Sequence, residues 1–289
     1  MDAVALIEAT LTTALLRAEA GDAPPKLAAA MRHAVFPRGA RVRPRLCLAV
    51  ASACGAPDLQ PAAAAGAALE FLHCASLVHD DLPCFDDAPI RRGKPSVHAA
   101  FGAPLAVLTG DALIVLAFQT IALGAAANPI QLAGLIGIVA QSVGMPGGIV
   151  AGQAWESEEA IDLARYQRAK TSALFAAAAM AGALSAGHNP APWRALGEYL
   201  GDAYQIADDL CDAAGDAATC GKPIGQDDAL NRPSAVALYG IDGALDRLDS
   251  IAEAAAASIP DCHGAVPLRA LIIQEAKRLV PKTLARAAA

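Results

Sequence analysis

The chain has 289 residues, of which 55% are hydrophobic, 4% aromatic and 18% charged, and its formal net charge is −7. The acidic balance argues against a nucleic-acid partner, because proteins that bind phosphate backbones need basic patches. It leaves small phosphorylated ligands open, since their sites need only a few local cations. The abundance of alanine and leucine favours helices that pack closely through small side chains.

The N-terminal segment, residues 1–27, carries Asp2 and Glu8 and lacks the basic start of a secretion signal, so it predicts an amphipathic helix. Apolar runs at 102–118 and 127–144 are interrupted before they reach the roughly 18–20 apolar residues of a membrane span. We therefore expect core helices and no membrane span. Seven cysteines without a C-x-x-C pair indicate reduced thiols and a cytoplasmic protein.

Helical patterns continue along the chain and are separated by short breakers such as 21–26, 55–58 and 187–192. Strand-like alternation of β-branched residues is nearly absent, which argues against a sheet. No breaker is long enough to be a domain linker. The sequence predicts one all-α domain over residues 1–289, a bundle of ten or more helices.

The stretch HDDLPCFDD, residues 79–87, follows a long apolar segment. Its four carboxylates are those of Asp80, Asp81, Asp86 and Asp87. Like charges this close repel, and ionised groups near a core need a compensating partner. Asp80 and Asp86 would point about 240° apart on a regular helix. Because Pro83 disfavours a continuing helix, we expect a loop that brings Asp86 back beside Asp80.

A second acidic cluster lies in YQIADDLCDAAGD, residues 204–216. Asp208 and Asp212 are four residues apart and share one face of a helix, with Asp209 beside them. Two carboxylate clusters that open onto one cavity would suit magnesium, which takes carboxylates together with substrate phosphates. The alternative is a pair of solvated helix ends, which is common for a single DDxxD match.

Basic residues flank both acidic clusters. They are Arg38, Arg41, Arg43, Arg91, Arg92, Lys94, Lys170 (followed by Thr171) and Lys222. Arginine offers a rigid fork for phosphate oxygens, and lysine a mobile point charge. Together with the carboxylates they predict a site for two polyphosphate groups, one held through metal and the other directly by cations.

With these motifs the chain resembles the short-chain trans-isoprenyl diphosphate synthases, the polyprenyl synthetase family. Seven motifs follow the family's order over nearly the whole length: FPRGARVRPRL, HDDLPCFDDAPIRRGKP, LTGDAL, AGQAWESE, AKTSALF, YQIADDLCD and GKPIGQD. The resemblance is closest to bacterial members that make the C20 product geranylgeranyl diphosphate for carotenoid and related pigments. It implies the isoprenoid synthase fold, with helices around a central cavity, and a homodimer.

The resemblance also implies the chemistry and the ligands. Isopentenyl diphosphate is condensed with an allylic diphosphate (dimethylallyl, geranyl or farnesyl) in the presence of Mg²⁺, with three ions per site. The allylic diphosphate ionises when metals and cations stabilise the leaving pyrophosphate. The departing pyrophosphate then serves as the base, so no nucleophilic side chain is required.

Site residues carry over position by position as implications of the resemblance. The metal ligands are Asp80, Asp86, Asp208 and Asp212, and the catalytic group also includes Asp81, Asp209 and Lys170. The allylic diphosphate is bound or covered by Arg91, Lys170, Thr171, Gln205 and Lys222. The diphosphate of isopentenyl diphosphate is bound by Arg43, His73 and Arg92. His79 is expected to be structural.

One departure from the family concerns the N-terminal G-G-K-R-x-R-P motif, which reads R-G-A-R-V-R-P here. Ala40 stands where the family has a phosphate-binding lysine. Either Arg38 or Arg41 substitutes for that lysine, or isopentenyl diphosphate binds more weakly. Arg232 stands where many members have lysine, and it keeps the charge.

Product length should depend on the helix that leads into Asp80. Ala75 and Ser76 lie about one turn before Asp80 and are small, whereas members that stop at farnesyl diphosphate typically carry an aromatic residue there. We therefore predict a C20 product, with Leu72 and Phe71 as a candidate floor of the tunnel. The alternative is that Ala75 and Ser76 merely allow close helix packing.

Three other functions remain to be separated. A farnesyl diphosphate synthase would differ only in its C15 product. A non-catalytic partner subunit would be expected to lack aspartates or arginines of the site. A terpene cyclase also uses DDxxD and magnesium, but it has less use for a second diphosphate site.

Overall fold

We describe the chain from a computed structural model, which describes residues 2–36, 39–159, 162–214 and 234–279. The helices are α1 (Ala3–Ala18), α2 (Pro25–Val35), α3 (Val42–Ala53), α4 (Gln60–Asp80), α5 (Val97–Phe101), α6 (Ala103–Gly124), α7 (Pro129–Val143), α8 (Ile149–Ala154), α9 (Leu163–Gln167), α10 (Ala173–Ser185), α11 (Arg194–Ala214), α12 (Ala235–Ala257) and α13 (Ala265–Leu279). Short 3₁₀ turns lie at Trp155–Ser157 and Ala191–Trp193, and a π turn at Arg168–Ser172 joins α9 to α10. The expectation of an all-α bundle of ten or more helices is confirmed.

Helix α4 runs through the middle of the bundle and is buried along most of its length. Its first turn contains a proline, which is compatible with the start of a helix, and alanines follow. Small residues let its neighbours approach closely: a Cβ added at Gly66 would stand 3.0 Å from Cα of Pro44 on α3. The dense packing predicted from the alanine content therefore surrounds the helix that ends at Asp80.

A small hairpin departs from the expectation that the chain has no sheet. Strands β1 (Ile90–Arg91) and β2 (Lys94–Pro95) pair antiparallel, with Arg91 opposite Lys94. The two residues between them, Arg92 and Gly93, both have positive φ, 53° and 76°. Positive φ at both central residues defines the type I′ turn that matches the twist of a two-residue hairpin. Arg92 thus lies at the tip of the hairpin.

Two helices, α4 and α6, are long and apolar enough to cross a membrane by length and composition alone. Helix α4 is a core helix, with 78% of its apolar window buried inside the protein. The corresponding share for α6 is only 44%, so this helix presents an apolar face outward.

The cysteines follow the expectation of reduced thiols at Cys47, Cys54, Cys74, Cys84 and Cys262, which are free. The expectation is wrong for Cys211, which is disulfide-bonded.

Candidate active site

The first acidic cluster forms the loop that Pro83 predicted. Helix α4 ends at Asp80, and the backbone N–H of Asp86 donates to the backbone carbonyl of Asp80 at 3.0 Å. The chain therefore turns back on itself and sets Asp86 next to Asp80. The side chain of Asp86 is exposed, whereas that of Asp80 is mostly buried.

The Asp80 carboxylate is poorly compensated. One of its oxygens is buried and has no hydrogen-bond partner among the described residues. The nearest cation is Lys170, whose Nζ lies 3.7 Å away. Burial raises the pKa of Asp80; Lys170 opposes this shift and the neighbouring Asp86 adds to it. Burial and Asp86 thus outweigh the nearby cations, so further positive charge would be favourable at the position where a metal is predicted.

Asp81 has a different role from Asp80. It is buried, and its Oδ1 accepts hydrogen bonds from Nε and Nη2 of Arg91 at 2.9 and 2.5 Å. Burial raises the pKa of Asp81, and the hydrogen bond from Arg91 opposes that shift. This contact fixes the guanidinium of Arg91 beside the first acidic cluster, on the side assigned to the allylic diphosphate.

The second acidic cluster lies near the end of α11. Asp208 is exposed, whereas Asp209 and Asp212 are buried. Asp209 accepts hydrogen bonds from Nε2 of Gln205 at 3.0 Å and from the backbone N–H of Ala235 at 2.7 Å. It therefore holds the start of α12 against α11. Of the three carboxylates, that of Asp208 is the exposed one in the described structure.

The π turn Arg168–Ser172 connects the two acidic clusters. Lys170 points toward Asp80, while Oγ1 of Thr171 donates to Oε1 of Gln205 at 3.2 Å. Gln205 in turn donates to Asp209. Two consecutive residues of one turn thus reach both clusters, which the sequence placed more than a hundred residues apart.

Glu156 belongs to this network, and the sequence analysis assigned it no role. Its Oε1 accepts hydrogen bonds from Nζ of Lys170 at 2.5 Å and from the hydroxyl of Tyr166 at 2.6 Å. Burial would lower the pKa of Lys170, but Asp80, Tyr166 and Glu156 outweigh it and the pKa is raised. The AGQAWESE motif was the available signal, since Glu156 is its first acidic residue.

The cationic side of the site is formed by residues from three separate elements: the hairpin, α3 and α4. Nη2 of Arg92, at the hairpin tip, lies 3.4 Å from Nε2 of His73 on α4. Arg43 on α3 stacks over the ring of Phe175, 4.6 Å from its centroid, and its buried Nε has no hydrogen-bond partner in the described part of the chain. Burial, followed by Arg43 and Arg92, lowers the pKa of His73 well below its ordinary value. A neutral imidazole beside two guanidinium groups suits an anionic ligand.

The Ala40 departure can be examined directly. Ala40 is exposed, but Arg41 is not available to replace a lysine there. Its guanidinium donates to Glu8 at 3.0 Å, to Glu70 at 2.7 Å and to the carbonyl of Val35 at 2.9 Å. Arg38 and Arg232, like Lys222, lie outside the described residues.

One observation indicates that these residues suit magnesium: a buried oxygen of Asp80 has no hydrogen-bond partner among the described residues. In residues 2–36, 39–159, 162–214 and 234–279, no three His, Cys, Asp or Glu side chains stand close enough together to hold an ion by themselves. Magnesium commonly takes one or two carboxylates and completes its shell with substrate phosphates and water. The residues therefore suit a metal that is bound together with a diphosphate.

The proposed tunnel residues lie on the last turns of α4. Ala75, Phe71 and Leu72 are buried in the main core, and the half-buried Ser76 donates its hydroxyl to the carbonyl of His73 at 2.9 Å. A cavity of about 330 Å³ opens between α1, α3 and α13, and none of these four residues lines it. The tunnel along α4 remains a prediction.

These features define a class: an all-α isoprenoid synthase fold with two acidic clusters and a group of arginines. A solved geranyltransferase from Helicobacter pylori, described as complexed with magnesium and isoprenyl diphosphate, is similar with a TM-score of 0.77 at 26% identity, over 96% of this chain and 97% of that one. The polyprenyl synthetase family model matches residues 24–266, and the chain belongs to that family.

Two relatives are similar over nearly their whole length. A geranylgeranyl diphosphate synthase of Cereibacter sphaeroides is 53% identical over 281 residues, covering 96% of this chain and 97% of the relative. One of Rhodobacter capsulatus is 51% identical over 266 residues, covering 92% of each.

Proposed function

We propose that the chain is a magnesium-dependent geranylgeranyl diphosphate synthase. It condenses isopentenyl diphosphate with allylic diphosphates and releases pyrophosphate. The observation that carries the proposal is the π turn, which sets Lys170 beside Asp80 and Thr171 beside Gln205. One diphosphate placed between the two acidic clusters would meet both residues. The similarity to two synthases of this name supports the C20 product.

The residues divide the work between two diphosphates. Asp80, Asp86, Asp208 and Asp212 would hold magnesium, with three ions per site, and bound magnesium would neutralise charge that develops on the leaving pyrophosphate. Lys170, Thr171 and Gln205 bind the allylic diphosphate from the π turn and α11, and Arg91 binds it from the hairpin. Lys222 is assigned to the same diphosphate and lies outside the described residues.

The second diphosphate belongs to isopentenyl diphosphate and is bound without metal. Arg43, His73 and Arg92 form its site. The Nε of Arg43, which has no hydrogen-bond partner in the described part of the chain, is a donor that an incoming oxygen would satisfy. Leaving a buried donor without a partner is unfavourable by about 1–3 kcal/mol, so ligand binding recovers that loss. The double bond of this substrate then attacks the allylic cation, and pyrophosphate takes the released proton.

We propose further that the enzyme works as one domain and as a homodimer. The outward face of α6 carries Val107, Leu108, Val115 and Leu123, all exposed large apolar residues. A second copy of the chain would cover this face. With α4 in the core and α6 at a dimer interface, neither of these two apolar helices needs a membrane, which supports a cytoplasmic enzyme of isoprenoid and carotenoid synthesis.

The test is incubation with labelled isopentenyl diphosphate and dimethylallyl, geranyl or farnesyl diphosphate, with magnesium or with excess EDTA. Chromatography of the dephosphorylated products should show a C20 alcohol that requires magnesium. A mainly C15 product would identify a farnesyl diphosphate synthase. A cyclic hydrocarbon formed without isopentenyl diphosphate would identify a terpene cyclase. A chain that forms no product by itself, but changes the product of another synthase when the two are mixed, would be identified as a partner subunit.

A further inference from the structure

We propose that Arg41 and Lys94 are positioning residues that tie the two cationic segments of the site, residues 39–43 and 90–95, to the C-terminal end of α2. In this way they set where Arg43 and Arg92 stand for the second diphosphate. The inference rests on the proposed function, because it concerns the binding of isopentenyl diphosphate.

Arg41 fixes the first segment. Its side chain is only 2% exposed and spans from Glu8 on α1 and Glu70 on α4 to the carbonyl of Val35 at the end of α2. Its backbone is left-handed, with φ 50°, a conformation that a residue with a Cβ adopts only when its surroundings hold it there. Three charge-assisted contacts supply that restraint. Arg43 follows two residues later, on the first turn of α3.

Lys94 fixes the second segment. Its ammonium group donates to the carbonyls of His33 and Phe36, the latter at 2.5 Å. A return contact joins Nε2 of His33 to the carbonyl of Pro95 at 2.7 Å. Because Lys94 pairs with Arg91 across the hairpin, anchoring Lys94 also fixes the turn that carries Arg92.

Both anchors use the same helix end. The last carbonyls of an α-helix have no partner within the helix, and cations are favourable there. The carbonyls of His33, Val35 and Phe36 are satisfied by Lys94 and Arg41 from two distant parts of the sequence. The segments also touch: a Cβ added at Gly39 would stand 2.9 Å from Nη1 of Arg92. The end of α2 is thus a common reference point for two diphosphate-binding arginines.

The effect of losing an anchor should be selective. Arg91, on the same hairpin, is held separately by Asp81, and Lys170 is held by Glu156. The allylic site therefore keeps its own supports. In the site for isopentenyl diphosphate, two of the three residues, Arg43 and Arg92, are positioned through the C-terminal end of α2.

The test compares Lys94→Met with wild type in steady-state assays of both substrates. We expect the KM for isopentenyl diphosphate to rise about 10- to 100-fold, as a small misplacement of binding groups can cause. The KM for the allylic substrate should stay within about twofold of wild type. Lys94→Arg should recover most of the loss, since it can still donate to both carbonyls. Lys26→Met, which removes the same charge from the opposite end of α2, is the matched control.

Arg41→Met is the companion variant, with Arg45→Met as its control on α3. Arg45 pairs with Glu275 at 3.0 Å and serves neither diphosphate. Arg41→Met removes the cation that pairs with the buried Glu70 and is expected to destabilise the fold. The positioning role is therefore judged from Lys94→Met, since Lys94 is only half-buried. Folded Lys94→Met protein with an unchanged KM for isopentenyl diphosphate, or with equal rises for both substrates, would overturn the positioning role. Wild type that forms no prenyl product would overturn the proposed function instead.

Discussion

Asp80 illustrates how a proposed metal ligand lowers the stability of a folded protein when no metal is bound. Its carboxylate is mostly buried and has one oxygen without a hydrogen bond in the described structure. Burial and the neighbouring Asp86 raise its pKa despite the nearby cations Lys170 and Arg91. An ionised group in such a place is unfavourable for stability and favourable for binding a cation. The same imbalance should be visible in both activity and stability measurements.

Asp80→Ala and Asp208→Ala should each lower turnover at least about 100-fold, because each removes a proposed magnesium ligand. Circular dichroism should show an unchanged fold, and in EDTA the Asp80→Ala protein should melt no lower than wild type. Asp87→Ala, which removes the exposed fourth carboxylate of the same loop, is the control and should stay active. Near-normal activity of either test variant at saturating magnesium would refute the metal-site assignment.

Arg91 and Arg92 are neighbours in sequence with separate partners, Asp81 and His73. Arg91→Ala should therefore raise mainly the KM for the allylic substrate, and Arg92→Ala mainly that for isopentenyl diphosphate. Loss of one charge-assisted contact, about 1.5–3 kcal/mol, corresponds to roughly a 10- to 150-fold change. Separate titration of each substrate measures the split. Equal effects of both variants on both substrates would show that the two arginines share one ligand.

At the scale of elements, α4 links the acidic loop to the core, and its last turns are proposed to line the product tunnel. Ala75→Phe should shift the main product from C20 to C15, because an aromatic ring one turn before Asp80 would block the chain. The site is buried, so the larger side chain is expected to lower stability by about 1–3 kcal/mol. Ser76→Phe, at a half-buried position, is the second variant. Product chromatography showing mostly C20 from both folded variants would refute the tunnel along α4.

The contact between α4 and α6 depends on a missing side chain. A Cβ added at Gly110 would stand 2.0 Å from Nε2 of His79, whose ring also reaches the carbonyl of Val107 at 3.2 Å. Gly110→Ala should therefore push His79 aside, lower stability by roughly 1–3 kcal/mol and reduce turnover, since His79 precedes Asp80. Gly137→Ala on α7 meets nothing within 4 Å and should be neutral or stabilising by up to about 1 kcal/mol. Denaturant unfolding of both variants gives the comparison, and equal stabilities would contradict it.

The sequence predicts the elements of this site better than it predicts their contacts. The loop after Asp80 follows from Pro83, and the helical face of the second cluster follows from four-residue spacing. The hairpin was missed because Arg-Gly is a weak turn signal beside Asn-Gly. The pairs Arg91–Asp81 and Lys170–Glu156, and the burial of Arg41, were missed because they join segments whose approach only the folded chain determines. Local patterns carry no information on such tertiary pairings.

At the scale of the whole molecule, the exposed side of α6 is a feature that an isolated chain leaves unexplained. Val107, Leu108, Val115 and Leu123 are each at least 43% exposed on a helix of high mean hydropathy. Several exposed apolar side chains on one helix are typical of an interaction surface in soluble proteins. The proposed homodimer would bury it.

Leu108→Glu should convert the dimer to a monomer, because burying an unpaired charge in an apolar interface is strongly unfavourable. Leu16→Glu on α1 is the matched control, since Leu16 is 55% exposed and Leu108 50%. Sedimentation velocity of both variants measures the outcome. A wild-type monomer, or a Leu108→Glu protein that remains dimeric, would place the interface elsewhere or remove it.

The π turn at Arg168–Ser172 has a consequence for how this segment can vary in length. A π turn is a helical turn that holds one extra residue, and here the extra width lets Lys170 and Thr171 face different acidic clusters. Deleting one residue would not shorten a loop: it would make α9 and α10 one regular helix and remove the extra width that lets Lys170 and Thr171 face different clusters. The length of the segment is therefore set by the need to keep Lys170 beside Asp80 and Thr171 beside Gln205. Here the number of residues is a stricter requirement than the identity of most of them.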